Sequence, residues 1–490
     1  MTPTRPTIPA LALATASVLA FALVSAYLMP RGPVTTAQAL ATMIAALVVG
    51  VVVTAATGRR WAIALAIVAF ALVFEVARIG AWGPTVDAPA SFGALHLIAF
   101  SFGRVVHGLL ALLPMWVGGL IGLGVAPRFG TPVSPPLGVG GWIVTSVLGI
   151  VVVIVAVIFA QPARTPPVVG ADGEAVPGSI AELTTARIGG HEQAIMLRGR
   201  DAAAPVLLHL AGGPGGTDIG AMRLDTGLEQ HFVVATWDQR GTGKSYPAFG
   251  PAETLTLDRV VADTIEVTEH LIDRFGHDRI LIAGQSWGTI PATLAAQRRP
   301  DLYQALIGTG QMVDVRGTDQ AFYEDTLAWA RANDDTELVQ RLEAMGPPPY
   351  DDVIGDYPVI VGPERALNPY PEFDGRTEMD ATIWGPEFSV MDSINAIRGL
   401  ADTYARLYPQ LQDLDLRERV PSLEVPIWIL MGEHEARGRV QPAREWFEAL
   451  EAPEKHWVVF DASSHRANFE RPAEYARLLE EIEEATRDVR

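Results

Sequence analysis

The sequence of 490 residues contains no cysteine, which excludes thiol catalysis, thiolate-bound zinc and disulfide bonds. Lysine is absent from residues 1–165, whose charged side chains are eight arginines and two acids, Glu75 and Asp87. This segment therefore has a net charge of +6, and because the whole chain has −19, the remaining residues carry −25. An acidic surface cannot replace the counterions of a phosphate backbone, so we predict that nucleic acid is not a partner.

Residues 1–161 consist largely of long apolar runs. A helix needs roughly 20 apolar residues to cross the hydrocarbon core of a bilayer. Five stretches reach or approach that length: about Ala10–Met29, Ala37–Thr57, Trp61–Trp82, Arg104–Ala126 and Trp142–Gln161. We interpret Ser91–Phe102, which precedes the fourth stretch, as an interfacial lead-in. The sequence thus predicts a transmembrane region of about five helices, with the lipid bilayer as a partner.

The positions of arginine predict the orientation of this region, because cytoplasmic loops carry an excess of positive charge. With the N-terminus inside, Arg5, the Arg59–Arg60 pair and Arg128 lie on the cytoplasmic side, whereas Arg31 and Asp87 lie outside. Five crossings then place the second half of the chain outside. We predict a multi-pass protein of the cell membrane with an extracytoplasmic domain, on condition that the number of crossings is odd.

Charged side chains also occur within the apolar runs, where they are costly and often functional. Glu75 and Arg78 lie three residues apart, and Arg104 and His107 repeat that spacing. One interpretation is a polar site inside the helix bundle. The other is pairing within each helix near the membrane interface.

The second half of the chain has the pattern of an α/β domain. Residues 162–178 are rich in proline and glycine and lack periodicity, which predicts a linker. From 179 to 490, amphipathic helical patterns alternate with short apolar strands, at Ala204–Leu210, Phe232–Thr236, Arg279–Ala283, Ala305–Gly308, Pro426–Met431 and His456–Phe460. This alternation predicts a mostly parallel sheet with helices on both faces. It breaks at about 316–400, which predicts a helical cap inserted over the carboxyl edge of the sheet.

One pentapeptide places a serine between a strand and a helix. Gly284–Gly288 reads Gly-Gln-Ser-Trp-Gly, and it follows the strand Arg279–Ala283 directly. A G-x-S-x-G sequence in this setting is typical of the α/β-hydrolase fold, in which a sharp turn projects the serine hydroxyl from the sheet. We therefore predict that Ser286 is a nucleophile.

A serine hydroxyl needs an adjacent base, and in this fold the acid and the histidine follow the serine along the chain. The acid is expected on the loop after the strand Pro426–Met431, where both Glu433 and Glu435 occur. We favour Glu435, with Glu433 as the alternative. His465 follows the last strand and is the predicted general base.

A glycine-rich loop, Gly212–Gly216, follows the strand Ala204–Leu210. The negative oxygen of a tetrahedral intermediate needs backbone N–H donors that are already in place. The N–H groups of Gly213 and Trp287 are the candidate pair for an oxyanion hole. The alternative is a plain tight turn, since glycine and proline are common in turns.

Together these motifs resemble the proline iminopeptidase branch of the α/β-hydrolases, peptidase family S33. The resemblance rests on Ala211–Gly216, on the long match Asp238–Ser245 (Asp-Gln-Arg-Gly-Thr-Gly-Lys-Ser) and on Gly284–Gly288, in the family's order. It implies that Asp238 and Arg240 are structural charges. Ala211 departs from the histidine that the family usually has there.

The resemblance also implies acidic cap residues that bind the substrate's free amino group. Glu364, Glu372 and Glu387 are the candidates, although no motif identifies them. The membrane half lies outside the resemblance.

Three functions follow from these patterns. The leading one is a membrane-anchored serine hydrolase that removes N-terminal residues, among them proline, from short peptides through an acyl-enzyme. The second is an esterase or amidase that acts on a small or lipid-like substrate. The third is a membrane receptor or transporter subunit whose hydrolase-like domain binds ligand. We predict a small-molecule or short-peptide substrate, with no cofactor and no bound metal.

Overall fold

The computed structural model describes residues 6–87, 93–133, 136–370 and 376–487. Contacts within the chain divide it into two compact units. The first comprises Met1–Pro162 and the short segment Ser389–Asp392, and the second comprises Ala163–Phe388 and Ser393–Arg490.

The described residues of the first unit form five apolar helices: α1 (Ile8–Leu28), α2 (Thr36–Thr57), α3 (Trp61–Ala77), α4 (Ala94–Val125) and α5 (Val139–Phe159). By length and composition, α1, α2, α4 and α5 are long enough to cross a membrane. Helix α3 has 17 residues and is shorter than the other four. The described part of the chain thus has four helices that qualify as spans, where the sequence suggested about five.

The predicted interfacial lead-in at Ser91–Phe102 is helical from Ala94 onwards and forms the first part of helix α4. Helix α4 begins at Ala94 and continues for 32 residues, with Pro114 inside it. At 1.5 Å per residue it is about 48 Å long. The apolar residues between Ala94 and Arg104 include no helix breaker other than Gly103, so the helix simply begins earlier than the hydropathy pattern suggested.

Helices α2 and α4 pack closely because glycine lines their contact. A Cβ atom at Gly50 would collide with the carbonyl oxygen of Met115, and one at Gly118 would collide with that of Leu47. Small residues of this kind allow helices in a membrane to approach and gain dispersion contacts.

Three charged residues of this unit, Glu75, Arg78 and Arg104, form a cluster that joins α3 to α4. Glu75 pairs with Arg78 in the same helix, at 2.5 Å, and with Arg104 of α4, at 3.1 Å. His107 packs edge-on against Phe74, with 4.4 Å between ring centroids. The pairing within a helix is thus present for Glu75 and Arg78, whereas Arg104 pairs between helices rather than with His107.

The second unit is built on an eight-stranded sheet. Its strands are β1 (Ile180–Ile188), β2 (His191–Gly199), β3 (Val206–Leu210), β4 (Val233–Trp237), β5 (Ile280–Gln285), β6 (Tyr303–Thr309), β7 (Ile427–Gly432) and β8 (Lys455–Phe460). Their order is β1-β2-β4-β3-β5-β6-β7-β8, and β2 pairs antiparallel with β1 and β4 while the remaining pairs are parallel. The mostly parallel sheet is confirmed.

Thirteen further helices occur among the described residues after Ala163, and the one that begins at Val390 starts in the segment Ser389–Asp392 of the first unit. They are α6 (Ile219–Met222), α7 (Leu257–Phe275), α8 (Thr289–Arg298), α9 (Val315–Ala332), α10 (Thr336–Met345), α11 (Val353–Val361), α12 (Glu364–Leu367), α13 (Arg376–Trp384), α14 (Val390–Leu407), α15 (Leu416–Arg419), α16 (Arg437–Ala449), α17 (Ala467–Glu470) and α18 (Pro472–Thr486). Helices α9 to α14 lie between β6 and β7 in the chain, where the insertion was predicted. Strands β3, β5 and β6 are fully or almost fully buried, as parallel strands covered on both faces are.

Residues 163–178, predicted as a linker, belong to the second unit. The guanidinium group of Arg198 on β2 donates to the Thr165 hydroxyl (2.6 Å) and to the Pro166 carbonyl oxygen (2.5 Å). Val169 and Ala175 form an isolated antiparallel bridge. The sequence lacks periodicity here because the segment follows the surface of the domain without forming a regular element.

Candidate active site

The serine predicted as nucleophile lies in a strained turn between β5 and α8. Ser286 has φ = 51°, a left-handed conformation that is costly for a residue with a side chain. The two glycines of the motif make this turn sterically feasible. A Cβ atom at Gly284 would collide with the Gly288 backbone, and one at Gly288 would collide with the carbonyl oxygen of Leu210 on β3.

The histidine and the acid are in direct contact. The Nδ1 atom of His465, on the loop after β8, lies 2.6 Å from Oε2 of Glu435, on the loop after β7. Oε1 of Glu435 accepts hydrogen bonds from the Ala436 N–H and from Arg439 Nη1, both at 2.8 Å. Each carboxylate oxygen therefore has fixed partners, which hold the carboxylate in one orientation.

Glu435 is charged although its side chain is completely buried. Burial alone would raise its pKa, but the charges of His465 and Arg439, together with their hydrogen bonds, outweigh that effect and lower the pKa to about 2. A charged carboxylate at Nδ1 favours the tautomer with its proton on that nitrogen, which leaves Nε2 as the proton acceptor.

Glu433, the alternative acid, has a different position. Its side chain is 56% exposed, and its Oε2 lies 3.7 Å from His434 Nε2. The same oxygen accepts a 3.3 Å hydrogen bond from the Ala462 N–H. The structure therefore pairs Glu435, and not Glu433, with His465.

The elbow and the histidine loop adjoin each other. The side-chain amide of Gln285, the residue before Ser286, donates to the carbonyl oxygen of His465 at 3.2 Å. Gly310, directly after β6, has φ = 58°, and a Cβ atom there would lie 2.9 Å from the His465 ring. Glycine at the end of β6 thus leaves room for the imidazole.

The glycine-rich loop lies beside the elbow. A Cβ atom at Gly212 would be 3.4 Å from that of Ser286. Gln239 links the loop to the residue after the serine, because its Nε2 donates to the Ala211 carbonyl (3.2 Å) and its Oε1 accepts from the Trp287 indole (2.9 Å). Gln239 is a supporting residue that the sequence analysis missed, although it lies within the long motif Asp238–Ser245.

Gly213 and Trp287, the predicted oxyanion donors, lie in these two connected segments. Gly213 has φ = 135°, which only glycine adopts readily.

Asp238 and Arg240, the two predicted structural charges of the Asp238–Ser245 motif, have structural partners. Arg240 is buried and pairs at 2.8 Å with the buried Asp263 of α7. It also donates to the Gly189 carbonyl oxygen at 3.0 Å. Asp238 accepts a 2.7 Å hydrogen bond from the Lys244 N–H, which closes the turn of the motif.

Of the three acids suggested for amine recognition, the structure describes two, Glu364 and Glu387, and these have different partners. Glu364 pairs with Arg439, the same arginine that contacts Glu435. Glu387 is buried and pairs with Arg223 at 2.8 Å. Glu372 lies outside the described residues. Within residues 6–87, 93–133, 136–370 and 376–487, no three histidine or acidic side chains are grouped in a way that could hold a metal ion.

Known proteins resemble the second half of the chain. The sequence profile of the family described as serine aminopeptidase, S33, matches residues 228–472, half of the chain. The probable aminopeptidase YbaC of Bacillus subtilis is 31% identical over 304 residues, which are 61% of this chain and 96% of that protein. A probable proline iminopeptidase of Leptolyngbya boryana is 34% identical over 157 residues, 31% of this chain and 44% of that protein.

Among solved structures, the proline iminopeptidase of Mycobacterium smegmatis aligns with a TM-score of 0.45 and 21% identity. The alignment covers 62% of this chain and 99% of that structure.

Proposed function

Because the chain belongs to the serine aminopeptidase S33 family and is an α/β-hydrolase enzyme, we propose that it is a membrane-anchored aminopeptidase of the proline iminopeptidase type. Ser286 is the nucleophile, His465 the general base and Glu435 the acid that orients it. The observation that carries this proposal is the 2.6 Å contact of His465 with the buried, charged Glu435, on a loop adjoining the strained Ser286 elbow.

The proposed reaction has two steps that share one base. His465 Nε2 takes the Ser286 proton as the serine oxygen attacks the substrate carbonyl, and the N–H groups of Gly213 and Trp287 stabilise the oxyanion. The imidazolium then gives its proton to the leaving amine, which leaves an acyl-enzyme. Water, deprotonated by the same histidine, hydrolyses that ester and releases the N-terminal residue.

Labelling with a fluorophosphonate probe tests the nucleophile without knowledge of the substrate. The full-length protein in detergent should be labelled, and Ser286→Ala should not be. Ser422→Ala is the matched control, because Ser422 is an exposed serine remote in sequence from the elbow. Labelling of Ser286→Ala equal to that of the wild type would refute the proposal.

A second enzyme function is favoured by the apolar helices of the first unit, which are suited to a substrate that partitions into lipid. It is hydrolysis of a lipid-like ester or amide at the same serine. Prolyl-naphthylamide with a free amine, its N-acetylated form and p-nitrophenyl esters separate the two. An aminopeptidase cleaves the first and rejects the second, whereas an esterase prefers the esters regardless of a free amine.

We also propose that all five helices span the cell membrane, including α3, whose 17 residues are at the lower limit for a crossing, and that the hydrolase domain is therefore extracytoplasmic. The arginine distribution supports this orientation. Fusions after Arg490 test it, since alkaline phosphatase is active only outside the cytoplasm and green fluorescent protein, exported unfolded, is fluorescent only inside. A fluorescent fusion without phosphatase activity would reverse the orientation.

A further inference from the structure

Arg439 joins two carboxylates from distant parts of the hydrolase domain. It lies on α16, four residues after Glu435, and is buried. Its Nη1 donates to Glu435 Oε1 at 2.8 Å and to Glu364 Oε1, and Glu364 Oε2 lies 3.5 Å from Nη2. The guanidinium carbon lies 4.7 Å from the ring centroid of Phe322 on α9. One arginine thus connects the inserted segment that carries Glu364 to the acid beside His465.

The burial of Glu435 explains why such an arginine is present. A buried carboxylate without a partner is strongly destabilising, because it loses its hydration without compensation. His465 cannot supply that compensation throughout the reaction, since it is neutral whenever it is ready to accept a proton. Arg439 is positively charged at all times and therefore allows Glu435 to stay ionised in both protonation states of the histidine.

The formal charges show what Glu364 adds. Glu364, Arg439 and Glu435 together carry −1, so the group is neutral when His465 is protonated. Without the Glu364 charge, the same group would be neutral at rest and carry +1 with the imidazolium. Because the imidazolium forms as the serine attacks, the third charge favours the state that the reaction passes through.

We propose that Arg439 is a positioning residue of the active site. We also propose that Glu364, acting through Arg439, gives the group its net negative charge, which stabilises His465 when it has accepted a proton. The inference rests on the proposed function, since it assigns the network to the histidine of that mechanism. Glu364, considered from sequence as a ligand of the substrate amine, is here part of the support of the triad.

Other charged and titratable groups face this network. Asp319 of α9 acts on Arg439 through its charge. Tyr357 of α11 is also close to Arg439, but burial raises its pKa to about 12, so its phenol is neutral during the experiment. Beside the histidine loop, Arg466 pairs with Asp218 at 3.2 Å, and Glu470 accepts hydrogen bonds from Ser463 and Ser464.

Burial raises the pKa of Asp319 to about 6, although hydrogen bonds from Tyr408 and Gln412 oppose the shift. Asp319 therefore titrates within the range of the experiment, and the profiles must also be measured in an Asp319→Asn background.

The test is the pH dependence of fluorophosphonate labelling and of ester hydrolysis by the full-length protein. Both rates require neutral His465, so both decrease at low pH, where the histidine is protonated. This decrease is the acid limb of each pH profile. Glu364→Gln removes a negative charge and should move that acid limb to lower pH by about one unit. Arg439→Met removes a positive charge and should move it to higher pH, with a fall in turnover as Glu435 loses its orientation. The Glu364→Gln/Arg439→Met double variant should return the limb towards the wild-type position while turnover stays low.

Two further variants separate a charge effect from a structural one. Arg439→Lys keeps the charge and should keep the wild-type limb. Arg437→Met is the matched control on the same helix, because Arg437 is 52% exposed and pairs with Asp325 at 2.8 Å rather than with Glu435. The inference would be overturned if the acid limbs of Glu364→Gln and Arg439→Met coincided with the limb of the wild type and of Arg437→Met. The proposed function would then remain intact. A wild-type protein that is not labelled at Ser286 would instead refute the proposed function, and this inference with it.

Discussion

Two ion clusters, one in each unit, have the same chemistry with the signs reversed. In the apolar helices, the Glu75 carboxylate lies between the guanidinium groups of Arg78 and Arg104, at 2.5 and 3.1 Å. In the hydrolase domain, the Arg439 guanidinium lies between the carboxylates of Glu435 and Glu364. Each cluster thus has one charge in excess, positive in the first and negative in the second.

The excess charges have different partners. In the first cluster, Arg78 donates to the Pro30 carbonyl oxygen at 3.2 Å, and Arg104 donates to the Val86 carbonyl oxygen at 3.0 Å. Carbonyl dipoles do not titrate, so that cluster is suited to fastening segments together. The second cluster ends at His465, which can gain and lose a proton. The comparison indicates how a structural cluster differs from a functional one. In the structural cluster the excess charge is balanced by groups that do not titrate, whereas in the functional cluster it is balanced by a group that does.

Glu435→Gln should have the largest effect, because it removes the charge that links the second cluster to His465. Loss of an orienting carboxylate can lower turnover by about 10⁴ when the histidine adopts the wrong tautomer. Glu433→Gln is the control, since it makes the same chemical change two residues away on an exposed side chain. The turnover and the rate of fluorophosphonate labelling should be measured for both variants. A greater loss at Glu433 would reverse the assignment of the acid.

The next largest effect is expected for fragments of the second unit. Their stability should depend on the residue at which the fragment begins. Residues 163–490 should fold and be labelled by the probe. A fragment from residue 179 lacks the buried Val168 and also Thr165 and Pro166, which are acceptors of Arg198 in addition to Glu229. We expect it to be less stable by about 4–5 kcal/mol, the low end of the sum for two hydrogen bonds to a charged group and one buried valine.

Urea denaturation of the two fragments measures that difference. Equal midpoints and slopes would mean that residues 163–178 act as a linker after all. A longer fragment that does not fold would mean that the hydrolase domain needs the helices, which would contradict the treatment of the two units as separate.

Much of the candidate active site could be predicted because its residues follow strands that have apolar sequences. Ser286, Glu435 and His465 each come after β5, β7 or β8, whose apolar runs are visible in the sequence. Strands β1 and β2 were missed. Most residues of β1 are only partly buried, so that its sequence, Ile-Ala-Glu-Leu-Thr-Thr-Ala-Arg-Ile, has no continuous apolar run.

The supporting network could not be predicted, because its contacts join residues far apart in the chain. Arg439 and Glu364 are separated by 75 positions, and Gln239 and Trp287 by 48. A local pattern reports burial and periodicity and contains no information on which distant charge is the partner. The sequence therefore identified Glu364 as an acid of interest and assigned it to the substrate, whereas the structure places it on Arg439.

Glu75→Gln should have the smallest of the three effects. That effect should be confined to the stability of the protein. The substitution leaves the charges of Arg78 and Arg104 without their shared carboxylate, and because the Glu75 side chain is 42% exposed, water compensates for part of the loss. We expect a fall of a few degrees in the melting temperature of the full-length protein in detergent, corresponding to about 1 kcal/mol. Asp87→Asn is the control, since it removes one negative charge from the same unit at a residue that accepts a 3.1 Å hydrogen bond from the Gly83 N–H.

The same variant tests the comparison between the clusters. If the cluster of the apolar helices is structural, the pH dependence of labelling should match that of the wild type and of Asp87→Asn, even as the melting temperature falls. A displaced acid limb in Glu75→Gln alone would mean that a charge among the helices acts on His465. The positive cluster would then also be functional, and the partner of its excess charge would no longer distinguish it from the negative one.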